Sequence, residues 1–257
     1  MRTLLTLLTT GVLASLLGCA SLDRDKEFYK DRVQRILDTE VVLNTKTKAI
    51  NPNDEEKPYS YETTGNGFVV GNYVFTAEHV VSRYSITYPT PFGPYTEELD
   101  KIEERTFIDD IQINPIIEDR KKDVAIFDLS KTPKLCKKYC NGLTLKDIVT
   151  SGELYNGMEV FWMASPDLRG DFYRSSHISS IREVKGYEEK GIKDFLDNSF
   201  SINIAFRNGT SGKPLWSYEG DKLKVVGVGH YNLDELGYAK LMDEYVEAIK
   251  KYEEAKK

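Results

Sequence analysis

Nine short apolar stretches, separated by turn residues, restrict the fold of this chain more than any other feature. They are "EVVLN", "YSYETTGNGFVVGNYVFTA", "YSITY", "DIQINPII", "DVAIFDL", "EVFWMA", "HISSIREV", "SFSINIAF" and "LKVVGVGHY". Each is rich in β-branched and aromatic residues, the composition of half-buried strands. Helical segments do not alternate with them, which argues against a parallel sheet and for antiparallel barrels or a sandwich. Helical spacing occurs at the two ends. Residues 22–37, "LDRDKEFYKDRVQRIL", read as a tether leading into a short helix. In "YAKLMDEYVEAIKKYEEA", Leu241, Tyr245, Ala248, Ile249 and Tyr252 fall on one face. "NPNDEEKP" and "KGYEEKGIKD" read as solvated loops, and no internal repeat is present.

A chain of 257 residues with 40% hydrophobic composition can build one large domain or two small ones. The net charge is −6 and no basic stripe interleaves with aromatics, so nucleic acid is not an expected partner. Nothing in the sequence specifies an oligomeric state.

The N-terminus, "MRTLLTLLTTGVLASLLGCAS", has one Arg followed by an apolar run with the proportions of a signal peptide. It ends in Leu16-Leu17-Gly18-Cys19, which resembles the bacterial lipobox. That resemblance implies cleavage after Gly18 and a lipid on Cys19. The protein would then be held on a membrane surface of the cell envelope, outside the cytoplasm. Cys136 and Cys140 remain. Export favours a disulfide between them, in a loop or distorted turn; a weak metal site or two free thiols are the alternatives.

"NGTSGKPLW" places Ser211 between glycines, ahead of a strand-like run. A serine hydroxyl is a weak nucleophile without a base, and the base needs an orienting acid. Upstream, His79 follows an apolar strand in "GNGFVVGNYVFTAEHVV", and Asp123 opens "DVAIFDL" at the edge of a core. Asp128 is a rival acid, but five residues further along a strand it faces the opposite side.

The order His, Asp, Ser and the local motifs resemble the trypsin-like serine peptidases, most of all their bacterial Deg (high-temperature-requirement) branch. "GNGFVV...VFTAEHVV" is similar to that branch's G-S-G-F...T-x-x-H-V-V, and "DVAIFDL" to its D-x-A motif. "GMEVFWMASPDLRG" resembles its stretch between acid and nucleophile, and "NGTSGKPLW...VVGVGHY" resembles G-N-S-G-G-P-L and a closing strand. The likeness runs from about residue 40 to 232. It implies an all-β fold of two six-stranded antiparallel barrels with a C-terminal helix. The expected parts are a signal peptide (1–18), a tether and helix (19–38), a first barrel with His79 and Asp123 (39–135), a linker and second barrel with Ser211 (136–236), and a helix (237–257). With only a helix-length tail after Tyr231, no peptide-binding (PDZ) module is expected.

The resemblance also implies roles. Ser211 attacks the carbonyl, His79 carries the proton, and Asp123 orients the imidazole. The N–H groups of Gly209 and Ser211 form the oxyanion hole. Substrates would be proteins or peptides, with no cofactor and no metal. Ala205 falls at the floor of the specificity pocket with Phe206 beside it, and His230 is a candidate for its wall. An apolar floor gives Lys or Arg no partner, so cleavage after small or medium apolar residues is expected. Acidic specificity through His230 and Arg207 is the rival. His177 reads as structural. Three residues depart from the family pattern: Thr210 before the nucleophile, Lys213 two positions after it, and Glu78, which is expected to face solvent. Thr210 makes activation by N-terminal cleavage unexpected. The alternative to a serine endopeptidase is a non-catalytic binding or chaperone-like protein on the same scaffold.

Overall fold

The computed structural model describes residues 30–51, 54–82, 85–90, 93–140, 142–164, 172–181, 198–206, 209–233 and 235–257. Cys19, the signal-like stretch and Arg207 lie outside them. The chain divides into residues 1–38 and residues 39–257. In the first part, residues 30–37 form the expected short helix, with an Arg35–Asp31 ion pair at 2.9 Å one turn apart.

The regular structure of the second part is mostly strand. In chain order, β1 is Glu40–Asn51, β2 Asp54–Val70, β3 Tyr73–Thr76, β4 Ser85–Thr90, β5 Gly93–Glu98, β6 Asp100–Ile108, β7 Ile111–Ile113, β8 Pro115–Asp119 and β9 Val124–Asp128. There follow β10 Glu159–Ala164, β11 Phe172–Ser180, β12 Ser199–Ile202, β13 Pro214–Glu219, β14 Lys222–Leu233 and β15 Leu236–Leu241. The first lobe is a curled seven-stranded antiparallel sheet in the order β7-β6-β1-β2-β3-β9-β8, and β4 and β5 form a separate hairpin. The second is a closed barrel, β10-β11-β12-β15-β14-β13. With the C-terminal helix Asp243–Ala255, this is a chymotrypsin-like architecture.

Period-two burial builds the first lobe. Along β1, Val41, Leu43, Thr45, Thr47 and Ala49 are buried while Val42 is exposed. The inward threonines bond across the sheet, Thr45 to Thr106 at 3.1 Å. Val69, Val74, Ala125 and Phe127 complete this core. The second core gathers Val160, Trp162, Ile178, Phe200, Leu215 and Val226. Aromatic rings join the lobes and the helix: Phe68 meets Trp216 edge-on, stacks on Phe75, and Phe75 meets Tyr245.

Two expectations are corrected here. The C-terminal helix begins at Asp243, not at 237. Residues 236–241 instead form β15, pairing with both β12 and β14 to close the barrel. Tyr238, Ala239 and Lys240 are all buried, a demand for two-sided packing that outweighs the helical spacing of the sequence. Cys136 and Cys140 lie in no loop: Pro133–Tyr139 is a helix with Cys140 at its C-cap. One helical turn brings the two Cα atoms to 4.8 Å and the sulfurs into contact, a spacing that a disulfide spans.

Candidate active site

The apolar strand β3 ends at Thr76, and a single helical turn, Glu78–Val81, follows. Val80 and Val81 bury themselves in the first core, so His79 is turned outward. Asp123 stands just before β9 with φ 54, in the left-handed region. Asp tolerates that region better than most residues, and a tight turn there re-aims its side chain. The two residues meet. His79 Nδ1 lies 3.0 Å from Asp123 Oδ1 and 2.9 Å from Oδ2, and the His79 backbone N–H donates to Oδ1 at 2.9 Å. An ionised carboxylate only accepts, so Nδ1 carries the proton and Nε2 is left as a base.

Burial alone would raise the Asp123 pKa, but hydrogen bonds from His230 and His79 hold it far below the usual carboxylate range. Burial alone would lower the His79 pKa. The hydrogen bond and charge of Asp123, aided by Glu78, outweigh this and raise it above the ordinary imidazole value. Glu78 does not face solvent as expected; it is buried, and the neighbouring His79 is the exposed residue.

Ser211 begins on the other lobe, in the turn before β13, and its turn is seated against the strands that carry His79. Asn66 Nδ2 donates to the Gly209 carbonyl at 2.7 Å, and Thr76 Oγ1 donates to the Asn66 carbonyl at 2.6 Å. Thr76 lies three residues before His79. Gly212, at φ 79, comes so close that an added Cβ would stand 2.0 Å from the Asn66 oxygen. Only glycine fits both the conformation and the space. Gly209 also has a positive φ, 87. Among the described residues the N–H groups of Gly209 and Ser211 have no partner in the chain, whereas those of Gly212 and Lys213 bond to Gly229 and Thr210. Two unused amides beside a serine are the donors that an oxyanion needs. Among the described residues, no hydrogen bond joins Ser211 Oγ to His79.

The sequence expectations part ways at the pocket. His230 is not on a pocket wall. It is buried against the Asp123 carboxylate, which accepts from its Nδ1. A register shift between Gly229 and Tyr231 in the β14–β15 pairing turns it inward. Phe206 is also buried. Its ring packs edge-on against Trp162 in the second core. The Asn232 amide bonds both the N–H and the carbonyl of Phe206 at 2.6 Å, fixing that segment to β14. Ala205 is half-buried, and His177 is exposed on β11. Asp128 is not a rival acid: it caps the turn at Ser130 and receives Lys256, the C-cap of the C-terminal helix, at 3.2 Å.

Lys213 explains its own departure from the motif. Its ammonium leaves the turn and pairs at 2.8 Å with Glu40, the first residue of β1, with both side chains nearly inaccessible. Sequence reasoning missed this pair and Asn66, since neither partner is marked by local spacing. The only signal for Asn66 was its place between two glycines.

His79, Asp123 and His230 are also a donor set that metals use, with donor atoms within 4.8 Å of one another. The fit is poor. Ligand atoms around a tetrahedral ion with ~2.0 Å bonds stand about 3.3 Å apart. Here His79 Nδ1 and Asp123 Oδ2 are 2.9 Å apart and His230 is closer still, so these are hydrogen-bond separations. The arrangement can hold the His79 imidazole in one tautomer.

The sequence matches no family model and no curated protein. The fold is similar to solved HtrA-type proteases. A serine-to-alanine form of AlgW with a decapeptide aligns with a TM-score of 0.60 at 14% identity, over 89% of this chain and 68% of that one. The same form with a tripeptide gives 0.51 at 13% identity, over 82% and 59%. AlgW with a tripeptide gives 0.50 at 14%, again over 82% and 59%. The chain thus spans about three-fifths to two-thirds of the length of these structures.

Proposed function

We propose that this chain is a serine endopeptidase in which Ser211 is the nucleophile, His79 the general base and acid, and Asp123 the orienting carboxylate. The observation that carries this reading is the exposed His79 imidazole pinned through Nδ1 to the buried Asp123, with the Ser211 turn seated on the strands that lead into His79 and its Gly209 and Ser211 amides without a partner among the described residues. Ser211 adds to the peptide carbonyl as His79 Nε2 takes its proton. The Gly209 and Ser211 N–H groups receive the oxyanion. His79 returns the proton to the leaving amine, and water then releases the acyl group by the same route. Asp123 stays ionised throughout and stabilises the imidazolium.

The specificity that goes with this reading is for small or medium apolar side chains. Ala205 offers a cation no carboxylate, and the engagement of His230 with Asp123 removes the main support for acidic specificity. Digestion of a mixed peptide library, read by mass spectrometry, tests both points. The wild type is expected to cut after Ala, Val, Leu or Ile, and His79→Ala and Ser211→Ala to cut nothing, because a triad acts as a unit. Turnover by either folded variant contradicts the assignment of roles, and cuts mainly after Lys or Arg contradict the pocket.

The same reading places the enzyme at a membrane surface of the cell envelope, held by lipid on Cys19, with envelope or extracellular proteins as substrates. Its support is the lipobox-like Leu16–Cys19. Cys136 and Cys140 are then a disulfide, as an oxidising compartment favours.

A further inference from the structure

We infer that Lys213 and Glu40 are a positioning pair: their buried ion pair fixes the far end of the 209–213 turn, so that the Gly209 and Ser211 N–H groups are set before substrate arrives. The inference rests on the peptidase reading, since it concerns how the proposed oxyanion donors are held. Two of the five residues in this turn are glycines. Gly209 and Gly212 have φ 87 and 79. Glycine reaches either sign of φ at little cost, so local backbone preference does not hold these amides in place. Donors of this kind serve catalysis only when they are preorganised. The residue before the serine adds no side-chain bond: Thr210 is buried, and its Oγ1 has no hydrogen-bond partner among the described residues. The first lobe holds the turn at two points instead. Asn66 Nδ2 takes the Gly209 carbonyl at 2.7 Å, and Glu40 Oε2 takes Lys213 Nζ at 2.8 Å.

The Glu40 end is a firm reference. Glu40 opens β1 opposite Phe68 of β2, and the Val69 N–H donates to the Thr39 carbonyl at 2.9 Å. The Phe68 ring in turn meets Trp216, three residues beyond Lys213. The Lys213 and Glu40 side chains are only 2% and 10% exposed. Two charges so far from water are a poor source of net stability, because an apolar pair of the same volume avoids their desolvation. What an ion pair adds is a fixed length and direction, where apolar groups can slide; register is the best-attested use of such pairs. The amine lies within the turn and the acid on β1, so this brace forms on folding and calls for no newly cut N-terminus.

The test compares wild type with the Glu40→Leu/Lys213→Met double variant, which replaces the pair by apolar groups. The expected result is a fall in kcat of about 100-fold, the scale of losing one oxyanion donor, with KM within about 3-fold. Amide hydrogen exchange gives a readout independent of turnover. The N–H groups of Gly212 and residue 213 bond to the Gly229 and Thr210 carbonyls, and those of Val149 and Leu241 serve as controls elsewhere in the second lobe. In the double variant the first two should exchange at least about 10-fold faster, relative to the controls, than in wild type. Glu40→Gln keeps the shape and an acceptor oxygen but not the charge. It should show the same changes at smaller size, about 10-fold in kcat, and it is the variant read if the double variant does not fold. A folded variant with kcat within about 2-fold of wild type and unchanged exchange at 212 and 213 overturns the inference. If wild type hydrolyses no peptide, the peptidase reading has failed, and hydrogen exchange alone decides whether the pair fixes the turn.

Discussion

Asp123 illustrates how a carboxylate can stay ionised in a nearly dry site. Burial opposes its charge, but two ring N–H groups and a backbone N–H converge on it, and a charge with that many donors is stable where an isolated one is not. The same contacts make His79 more basic than a free imidazole. The base must be neutral to work, so the rate is full above the raised pKa and is lost as pH falls through it. We expect the acid limb of kcat/KM to have its midpoint above the ordinary imidazole value of 6.5. In Glu78→Gln one raising charge is gone, and the limb should move to lower pH. A pH–rate profile of both proteins checks this; a wild-type limb below 6.5, or a shift to higher pH in the variant, contradicts it.

The turn at 209–213 shows how an element of one lobe is specified by the other. Asn66 and Glu40 reach it from the first lobe, and each contact involves a residue that is distant in sequence. This is why the sequence marked the candidate triad and not the contacts around it. His79, Asp123 and Ser211 sit in short motifs whose order is informative. Lys213–Glu40 spans 173 positions and leaves no local trace. The strands were legible for a similar reason, since alternation is local, whereas β15 was read as helix because barrel closure is not. The pocket reading failed at His230 for want of one residue of register, which a bulge decides and periodicity does not show. The Lys213–Glu40 pair carries its own prediction. Removing one partner takes the ion pair from a buried charge, so Lys213→Met and Glu40→Leu should each lose about 3–5 kcal/mol. The double variant should recover most of that loss, because an apolar pair of similar volume needs no desolvated charge. Urea unfolding of the four proteins decides it; single losses that simply add in the double variant contradict the account.

At the scale of the whole molecule, an open sheet and a closed barrel meet through Phe68, Phe75, Trp216 and Tyr245, and the residues of the proposed triad are divided between the two lobes. The Tyr245 hydroxyl donates to the Thr76 carbonyl at 3.0 Å, so the C-terminal helix braces the strand that leads into His79. The proposed placement at a membrane rests on the lipobox-like Leu16–Cys19. In detergent phase partitioning, wild type should enter the detergent phase and Cys19→Ala the aqueous phase; equal aqueous partitioning of both contradicts lipid anchoring. The central claim is that Ser211 is a nucleophile activated by His79. A fluorophosphonate reacts covalently with such a serine and spares ordinary hydroxyls. Mass spectrometry of the labelled, digested protein measures this directly. The account predicts a single adduct on Ser211 that is absent from Ser211→Ala and strongly slowed in His79→Ala. A folded wild-type protein that takes up no label at Ser211 would contradict it.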